Sequence, residues 1–174
     1  RFSKKLVNEL ENMRGHADRL TQHINLDLLN FTDHGITHLD ALWSVADEII
    51  GEIELNHVEA FVLGAAFLLH DAGMSRAAYP GGLAEIEGMP LYKRLTAKNA
   101  ASGLEGNELA AKTIADFLRL NHAEQALKLP KEKWTTGDGK DVIYIIETSS
   151  IRSSLHDAIG RLARSHWQSH EEIE

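Results

Sequence analysis

The sequence predicts an all-α protein, and three observations support this prediction. Apolar residues recur at helical spacing in the N-terminal part of the chain, as at Leu6, Leu10 and Met13. Further segments with the same periodicity follow at residues 36–51, 56–70, 107–128 and 152–168. Only the apolar run at residues 142–146 is compatible with a strand, and its periodicity does not separate a strand from the start of a helix.

The first half of the chain contains three predicted helical regions. Residues 3–29 form a helix or a pair of helices, and the break at Thr32-Asp33-His34-Gly35 separates them from a second helix over residues 36–51. Asn56 is the expected N-cap of a third helix that continues to His70. This third helix is apolar on nearly all sides, so we expect it to be the central buried helix.

The second half begins with residues 72–106, which are rich in glycine and hold two of the three prolines. This composition predicts a long irregular segment with a short helix near residues 91–95. A helix over 107–128 stops at Pro130, residues 131–141 form a polar turn, and the last helix spans 152–168. The chain is long enough for one domain with a substantial core.

Composition excludes several classes of function. The net charge is −8, so neither nucleic acid nor an anionic membrane is an expected partner. The absence of cysteine rules out disulfides and thiolate metal sites. No signal peptide is visible and the apolar run 58–69 is too short to span a bilayer, so we expect a cytoplasmic location. Because the chain begins with Arg1 rather than Met, we expect it to be part of a longer protein.

Histidines occupy the apolar stripe of four predicted helices. In the second helix the stripe begins at His38 and runs through Leu42, Val45 and Ile49. In the last helix it runs through Leu155, Ile159, Leu162 and His166, and the stripes of the other two helices also end in a histidine. A single histidine on such a stripe is more often a hydrogen-bonded core residue than a ligand. Four of them make convergence on one site the better interpretation; these residues are His38, His70, His122 and His166.

Asp71 gives the sharpest indication of a metal site. It follows a nearly unbroken apolar helix, so its carboxylate is expected close to the interior. A buried carboxylate must be protonated, paired or bound to metal. With His70 beside it, a divalent metal is the simplest explanation: imidazole with carboxylate suits Fe, Mn, Zn, Co or Ni, and carboxylate alone would suit Mg.

These segments resemble the motifs of the HD superfamily of metal-dependent phosphohydrolases. His38-Leu-Asp-Ala-Leu-Trp-Ser-Val-Ala and Ala66-Phe-Leu-Leu-His70-Asp71-Ala-Gly73-Met are similar to its first two motifs. Arg119-Leu-Asn-His122 and Ala163-Arg-Ser-His166 are similar to the third and fourth motifs of its two-metal branches. The resemblance implies a helical HD core over residues 31–170, preceded by a helical segment, residues 1–30. Residues 32–38 also resemble HD modules that precede a chaperone-like ATPase in larger bacterial proteins.

The resemblance further implies hydrolysis of a phosphate-containing small molecule, expected to be a nucleotide, by metal-activated water. The metal ligands would be His38, His70 and Asp71 for one ion, and a second ion would be held by the two later histidines, His122 and His166. Asp71 is also placed among the catalytic residues, as are His34 and Arg119. His34 would protonate the leaving oxygen or contact phosphate, or else cap the helix, and Arg119 would bind phosphate, or else form a surface salt bridge.

Two departures from the family pattern leave a second interpretation open. Nothing after His166 supplies the further Asp ligand that the family usually has, and Met74 stands where the cyclic-dinucleotide branch typically has Lys. The alternative is a non-catalytic regulatory HD domain in which metal or nucleotide binding controls an attached module. A purely structural helical bundle is a third interpretation, and it predicts no bound metal.

Overall fold

Helices form most of the protein in a computed structural model that describes residues 2–28, 35–135 and 139–167. This confirms the prediction of an all-α bundle. The N-terminal region forms a pair, α1 (Phe2–Thr21) and α2 (Ile24–Asp27), followed by α3 (Ile36–Ile50) and α4 (His57–Leu69). No helix of the described residues is long and apolar enough to cross a membrane.

Helix α4 is the centre of the bundle, as its sequence predicts. Asn56 caps it: its side chain accepts hydrogen bonds from the backbone of Val58 and Glu59, and the Glu59 carboxylate accepts one from the backbone of Asn56. This reciprocal capping box fixes the start of the helix. Helix α4 packs against α1 and against the last helix, and Ala65, Leu68 and Leu69 are fully or almost fully buried along it.

The prediction of an irregular segment over residues 72–106 is wrong in extent. Two short 3-10 helices (Ala72–Met74 and Arg76–Ala78) lead into α5 (Gly82–Gly88) and α6 (Pro90–Ala101). Pro90 stands at the first position of α6, where its missing N–H group costs nothing. The glycines separate short helices and do not make the whole segment irregular. Between α6 and the next helix, Gly103 and Gly106 have φ of 91° and 55°, a conformation that favours glycine.

The C-terminal half has the predicted helices, but a strand occupies part of the predicted turn at residues 131–141, and the last helix begins three residues earlier than predicted. Helix α7 (Gly106–Lys128) ends just before Pro130, and α8 is Ser149–Ser165. Between them the apolar run adopts the strand alternative: β1 (Lys133–Thr135) pairs antiparallel with β2 (Val142–Tyr144), with Trp134 opposite Ile143. The hairpin is small, and α7 packs against both α6 and α8.

The expected inward stripe of α3 is not buried along its whole length. Val45 is 49% exposed and Ile49 78% exposed, whereas Leu39 and Ala46 form the buried face. The physical reason is that α3 lies on the outside of the bundle and contacts only α1 and α4 closely, so only part of its circumference can be covered. Leu162 of α8, also expected to face inward, is 40% exposed.

Candidate metal centre

Directly after α4 the chain places two polar residues, His70 and Asp71, toward the interior. His70 is the C-cap of α4 and retains helical backbone angles, and Asp71 then begins the turn into the 3-10 helix Ala72–Met74. The Asp71 residue is only 5% exposed. The burial expected from the sequence is observed.

Three histidine rings are held in the same way by the helix backbone. The Nδ1 atoms of His70, His122 and His166 each contact the carbonyl oxygen of the residue three positions earlier. A carbonyl oxygen only accepts, so each Nδ1 must carry the hydrogen. The Nε2 atom of each ring is thereby left to face the bundle interior. This tautomer and orientation are those that metal-binding histidines use when a backbone carbonyl is their outer partner.

The two carboxylate oxygens of Asp71 face different histidines. Oδ2 lies 2.8 Å from Nε2 of His70. Oδ1 lies 3.6 Å from Nε2 of His166 and 3.9 Å from Nε2 of His122. One carboxylate is therefore central to the whole cluster, with one oxygen directed toward each set of rings. Such an arrangement suits a carboxylate that bridges two cations.

Two groups of three side chains have the spacing that a metal ion requires. Ligand atoms of His38, His70 and Asp71 all lie within 4.8 Å of one another, and the same holds for Asp71, His122 and His166. His38 comes from the first part of α3, and its ring centroid is 5.9 Å from that of His70. Among the described residues, these are the two groups whose possible ligand atoms lie this close together. The side chains are of the types that suit divalent transition metals.

Burial and charge act differently on the histidines. Burial is the main cause that lowers the pKa of His122 and of His166 below 6.5. Burial acts in the same direction on His70, but the hydrogen bond and the charge of Asp71 outweigh it and raise the His70 pKa. His70 therefore favours the imidazolium form, which can donate to both Phe67 and Asp71. A metal ion bound to Nε2 would replace that second hydrogen.

A glycine allows the two halves of the cluster to meet. Gly73 packs directly against the backbone of His122, where a Cβ atom would overlap the carbonyl oxygen of that residue. The 3-10 helix after Asp71 can therefore touch α7 backbone to backbone. Gly160 performs the same function between α8 and α7, because a Cβ there would overlap the carbonyl oxygen of Leu127. These two contacts bring His122 and His166 up to Asp71.

The remaining predicted site residues have different outcomes. His34 lies outside the described residues. Arg119 is exposed on α7, one turn before His122, and its carbonyl oxygen is the acceptor for that ring. Its side chain borders a cavity of about 270 Å³ together with Lys98 and Trp167. The site roles of these residues remain predictions.

The indole of Trp167 lies beside the cluster. The side chain is 53% exposed, and its ring meets that of His122 in a T-shaped contact with centroids 4.7 Å apart. It thus forms a wall between the cluster and the cavity that Lys98 also lines. Trp167 was not among the site residues expected from the sequence, although its position directly after His166 was an available signal. Trp43, in contrast, packs edge-on against Phe67.

Comparisons with known proteins give one match. A family model described as HD-CE matches residues 28–174, a range that includes all five candidate metal ligands. No curated protein and no solved structure matches the chain.

Proposed function

The chain belongs to the HD-CE family, and from this premise we propose that it is a metal-dependent phosphohydrolase or phosphodiesterase acting on a nucleotide or another phosphate ester. Its cofactor is one or two divalent ions, with Fe, Mn, Zn, Ni or Co favoured by the ligand types and Mg compatible with the carboxylate. The ligands of the first group are His38, His70 and Asp71. Those of the second group are Asp71, His122 and His166, so both groups share Asp71.

The contact between His122 and His166 carries the proposal. Their Nε2 atoms are 2.9 Å apart, and both Nδ1 atoms already donate to backbone carbonyls. In the neutral rings both Nε2 atoms carry a lone pair and no hydrogen. Their contact is therefore repulsive unless a cation lies between the two lone pairs. Burial lowers the pKa of both rings, which makes a proton a poor cation for this position. A divalent metal ion beside Asp71 satisfies all three groups.

The chemistry of the site follows from its ligands. A divalent ion bound here would lower the pKa of a water molecule and offset the charge that develops on a phosphoryl group. The carboxylate of Asp71, with one oxygen toward each histidine set, would hold the cations in a fixed relation. The backbone carbonyls that accept from the histidine rings keep the ligands oriented before any ion arrives. His34 is the proposed proton donor to the leaving oxygen.

A phosphate-bearing substrate has a suitable cavity beside the centre. Lys98 and Arg119 line the space of about 270 Å³ that Trp167 separates from His122. Lys112 also borders it, but its charge is paired with Asp116. The cationic side chains of Lys98 and Arg119 favour phosphate, and the half-exposed indole offers a face on which a nucleobase can stack. This combination supports a nucleotide over a simple phosphomonoester.

The test combines metal content with turnover in the full chain purified without a histidine tag. We expect elemental analysis to find one or two divalent ions per chain, and bis-p-nitrophenyl phosphate to be hydrolysed with added Mn²⁺. Asp71→Ala should abolish metal uptake and turnover, because both groups share Asp71, whereas His70→Ala should remove the ion of the first group and turnover with it. His122→Ala should remove the second group only.

His57→Ala is the matched control, since His57 is an exposed residue at the start of α4 and belongs to neither ligand group. It should leave metal content and turnover unchanged. Bound metal without turnover by any divalent ion would favour the regulatory domain over the enzyme. Retained metal stoichiometry in both His70→Ala and Asp71→Ala would refute the ligand assignment.

A further inference from the structure

Helix α3 and the segment that follows it present large aliphatic side chains to solvent. Val45 is 49% exposed, Ile49 78% and Ile53 69%. Single exposed aliphatic residues are ordinary on protein surfaces. Three of them lie within one short segment here, and exposed apolar surface of this kind marks interaction sites.

A groove lies between α3 and α4, next to Ile53. It is a cavity of about 330 Å³ whose apolar floor includes Trp43, Ala46 and Leu63. Its edge is formed by Ile53 and Leu55, the second of which is 38% exposed. We call this cavity with its exposed edge the α3 groove. Its width is bounded by α3 on one side and α4 on the other, the setting in which a helix can lie along two helices.

Acidic side chains lie at and beside the α3 groove: Asp47 lines it, and Glu52 and Glu54 are chain neighbours of its lining residues Ile53 and Leu55. Asp47, Glu48, Glu52 and Glu54 are all exposed, and no ion pair involving them is formed within the described residues. The sequence has no lysine or arginine at any position from 20 to 75. The groove therefore combines apolar surface with uncompensated negative charge, and both properties must be matched by whatever covers it.

We propose that the α3 groove is the docking site for a basic amphipathic helix of a partner protein. The apolar stripe of that helix would cover Trp43, Ile53 and Leu55, and its lysine or arginine side chains would face Asp47, Glu52 and Glu54. Helix-in-groove recognition has this pattern of apolar anchors with charged flanks. A second copy of this chain fits poorly, because a symmetric contact would place these acidic side chains against one another.

The test uses two synthetic helical peptides as probes. Both carry the same leucine stripe, and the polar face is lysine in one and glutamate in the other. We expect the lysine peptide to bind the full chain in fluorescence anisotropy titrations, and the glutamate peptide not to bind. The double variant Ile53→Glu/Leu55→Glu should weaken binding by more than about tenfold. Asp47→Asn with Glu52→Gln should weaken it and flatten its salt dependence.

Val142→Glu is the matched control, because Val142 is 51% exposed on β2 and takes no part in the α3 groove. Its affinity for the lysine peptide should equal that of the wild type, and thermal melting should show that every variant is folded. Failure of the lysine peptide to bind, equal binding of the glutamate peptide, or unchanged affinity in the double variant would each overturn the proposal. So would a dimer in sedimentation that Ile53→Glu dissociates, since the occupant would then be a second copy.

Discussion

The rings of His70, His122 and His166 are oriented by their own helices rather than by one another. Each Nδ1 donates to the carbonyl oxygen three residues earlier, so the direction of the ring is set within its own helical segment and does not depend on the other ligands. This explains how residues far apart in sequence can present Nε2 to one carboxylate. It also makes the protonation state of each ring a separate property of its surroundings.

That difference predicts a staged loss of metal in acid. Ligand histidines must be neutral to bind a metal ion. The His70 pKa is raised above 6.5 by Asp71, whereas burial lowers the pKa of His122 and of His166 below 6.5. As the pH falls, protons therefore compete first at His70. Titration of bound metal from about pH 8 to about pH 5 should show the His38–His70 group emptying at the higher pH.

The control for this titration is His122→Ala, which keeps only the group that contains His70. Its metal loss should coincide with the first stage of the wild type. A single stage in the wild type at the pH where the His122→Ala variant keeps its metal would contradict the staged release.

Gly73 predicts a strong effect from one added methyl group. A Cβ at this position would overlap the carbonyl oxygen of His122, and both partners are backbone-anchored. We expect Gly73→Ala to lower the free energy of unfolding by about 1–3 kcal/mol and to weaken metal binding, because α7 must move away from Asp71. Urea denaturation and metal titration measure the two effects.

Gly15 provides the matched control inside α1. Nothing lies within 4 Å of a Cβ built there, and the residue is exposed. Gly15→Ala should stabilise the protein by about 0.5–1 kcal/mol, because alanine is the better helix former. If both substitutions change stability in the same direction, the steric explanation for Gly73 is wrong.

At the scale of elements, α8 is anchored at both ends. Its first residues are held by the buried carboxylate of Glu9 in α1, which accepts from the backbone of Glu147 at 2.6 Å and of Thr148 at 3.2 Å. An anion at this end also complements the partial positive charge of a helix N-terminus. At the other end of the helix, His166 enters the metal centre. The position of α8, and with it that of His166, thus depends on α1.

Glu9→Ala tests this dependence. It would leave two backbone N–H groups without their carboxylate acceptor, so we expect a loss of about 1–3 kcal/mol in the free energy of unfolding. Glu11→Ala is the control, because Glu11 is exposed on the same helix and should change stability little. Equal effects of the two variants in urea denaturation would argue against the capping role of Glu9.

The accuracy of the sequence-based elements varied with the physical signal available. Asn56 and Pro130 bound α4 and α7 correctly, because capping and proline chemistry act locally. The α3 stripe was misassigned, since periodicity identifies an apolar face but not whether the bundle covers it. Residues 72–106 were read as irregular because glycine content does not distinguish a loop from short helices separated by glycines.

At the scale of the whole molecule, the sequence predicted that separate helices bring histidines to Asp71, and the structure has that convergence. It could not predict that the two oxygens of Asp71 divide between the histidine sets, or that Gly73 and Gly160 permit the close approaches. Those features depend on side-chain rotamers and backbone contacts between distant segments. The wall made by Trp167 was missed for the same reason.

Metal binding should stabilise the whole fold, because its ligands come from α3, the end of α4, α7 and α8. An ion held only by the native state adds about 2.7 kcal/mol at a hundredfold excess over Kd. Each kcal/mol raises Tm by about 2–4 °C in a protein of this size. Calorimetry should therefore show Tm higher by about 5–10 °C with Mn²⁺ than with EDTA. Asp71→Ala should show no such difference, and an equal shift in that variant would place the metal elsewhere.

The indole of Trp167 has an optical consequence. Its ring centroid is 4.7 Å from that of His122, close enough for a paramagnetic ion on that imidazole to quench its emission. Of the other two tryptophans, Trp43 packs against Phe67, and Trp134 donates a hydrogen bond to the carbonyl oxygen of Ala77. Neither of these contacts involves the His122 ring. Intrinsic fluorescence should therefore report occupancy of the His122–His166 position in real time. In Trp167→Phe the metal-dependent change in fluorescence would disappear while the ion still binds.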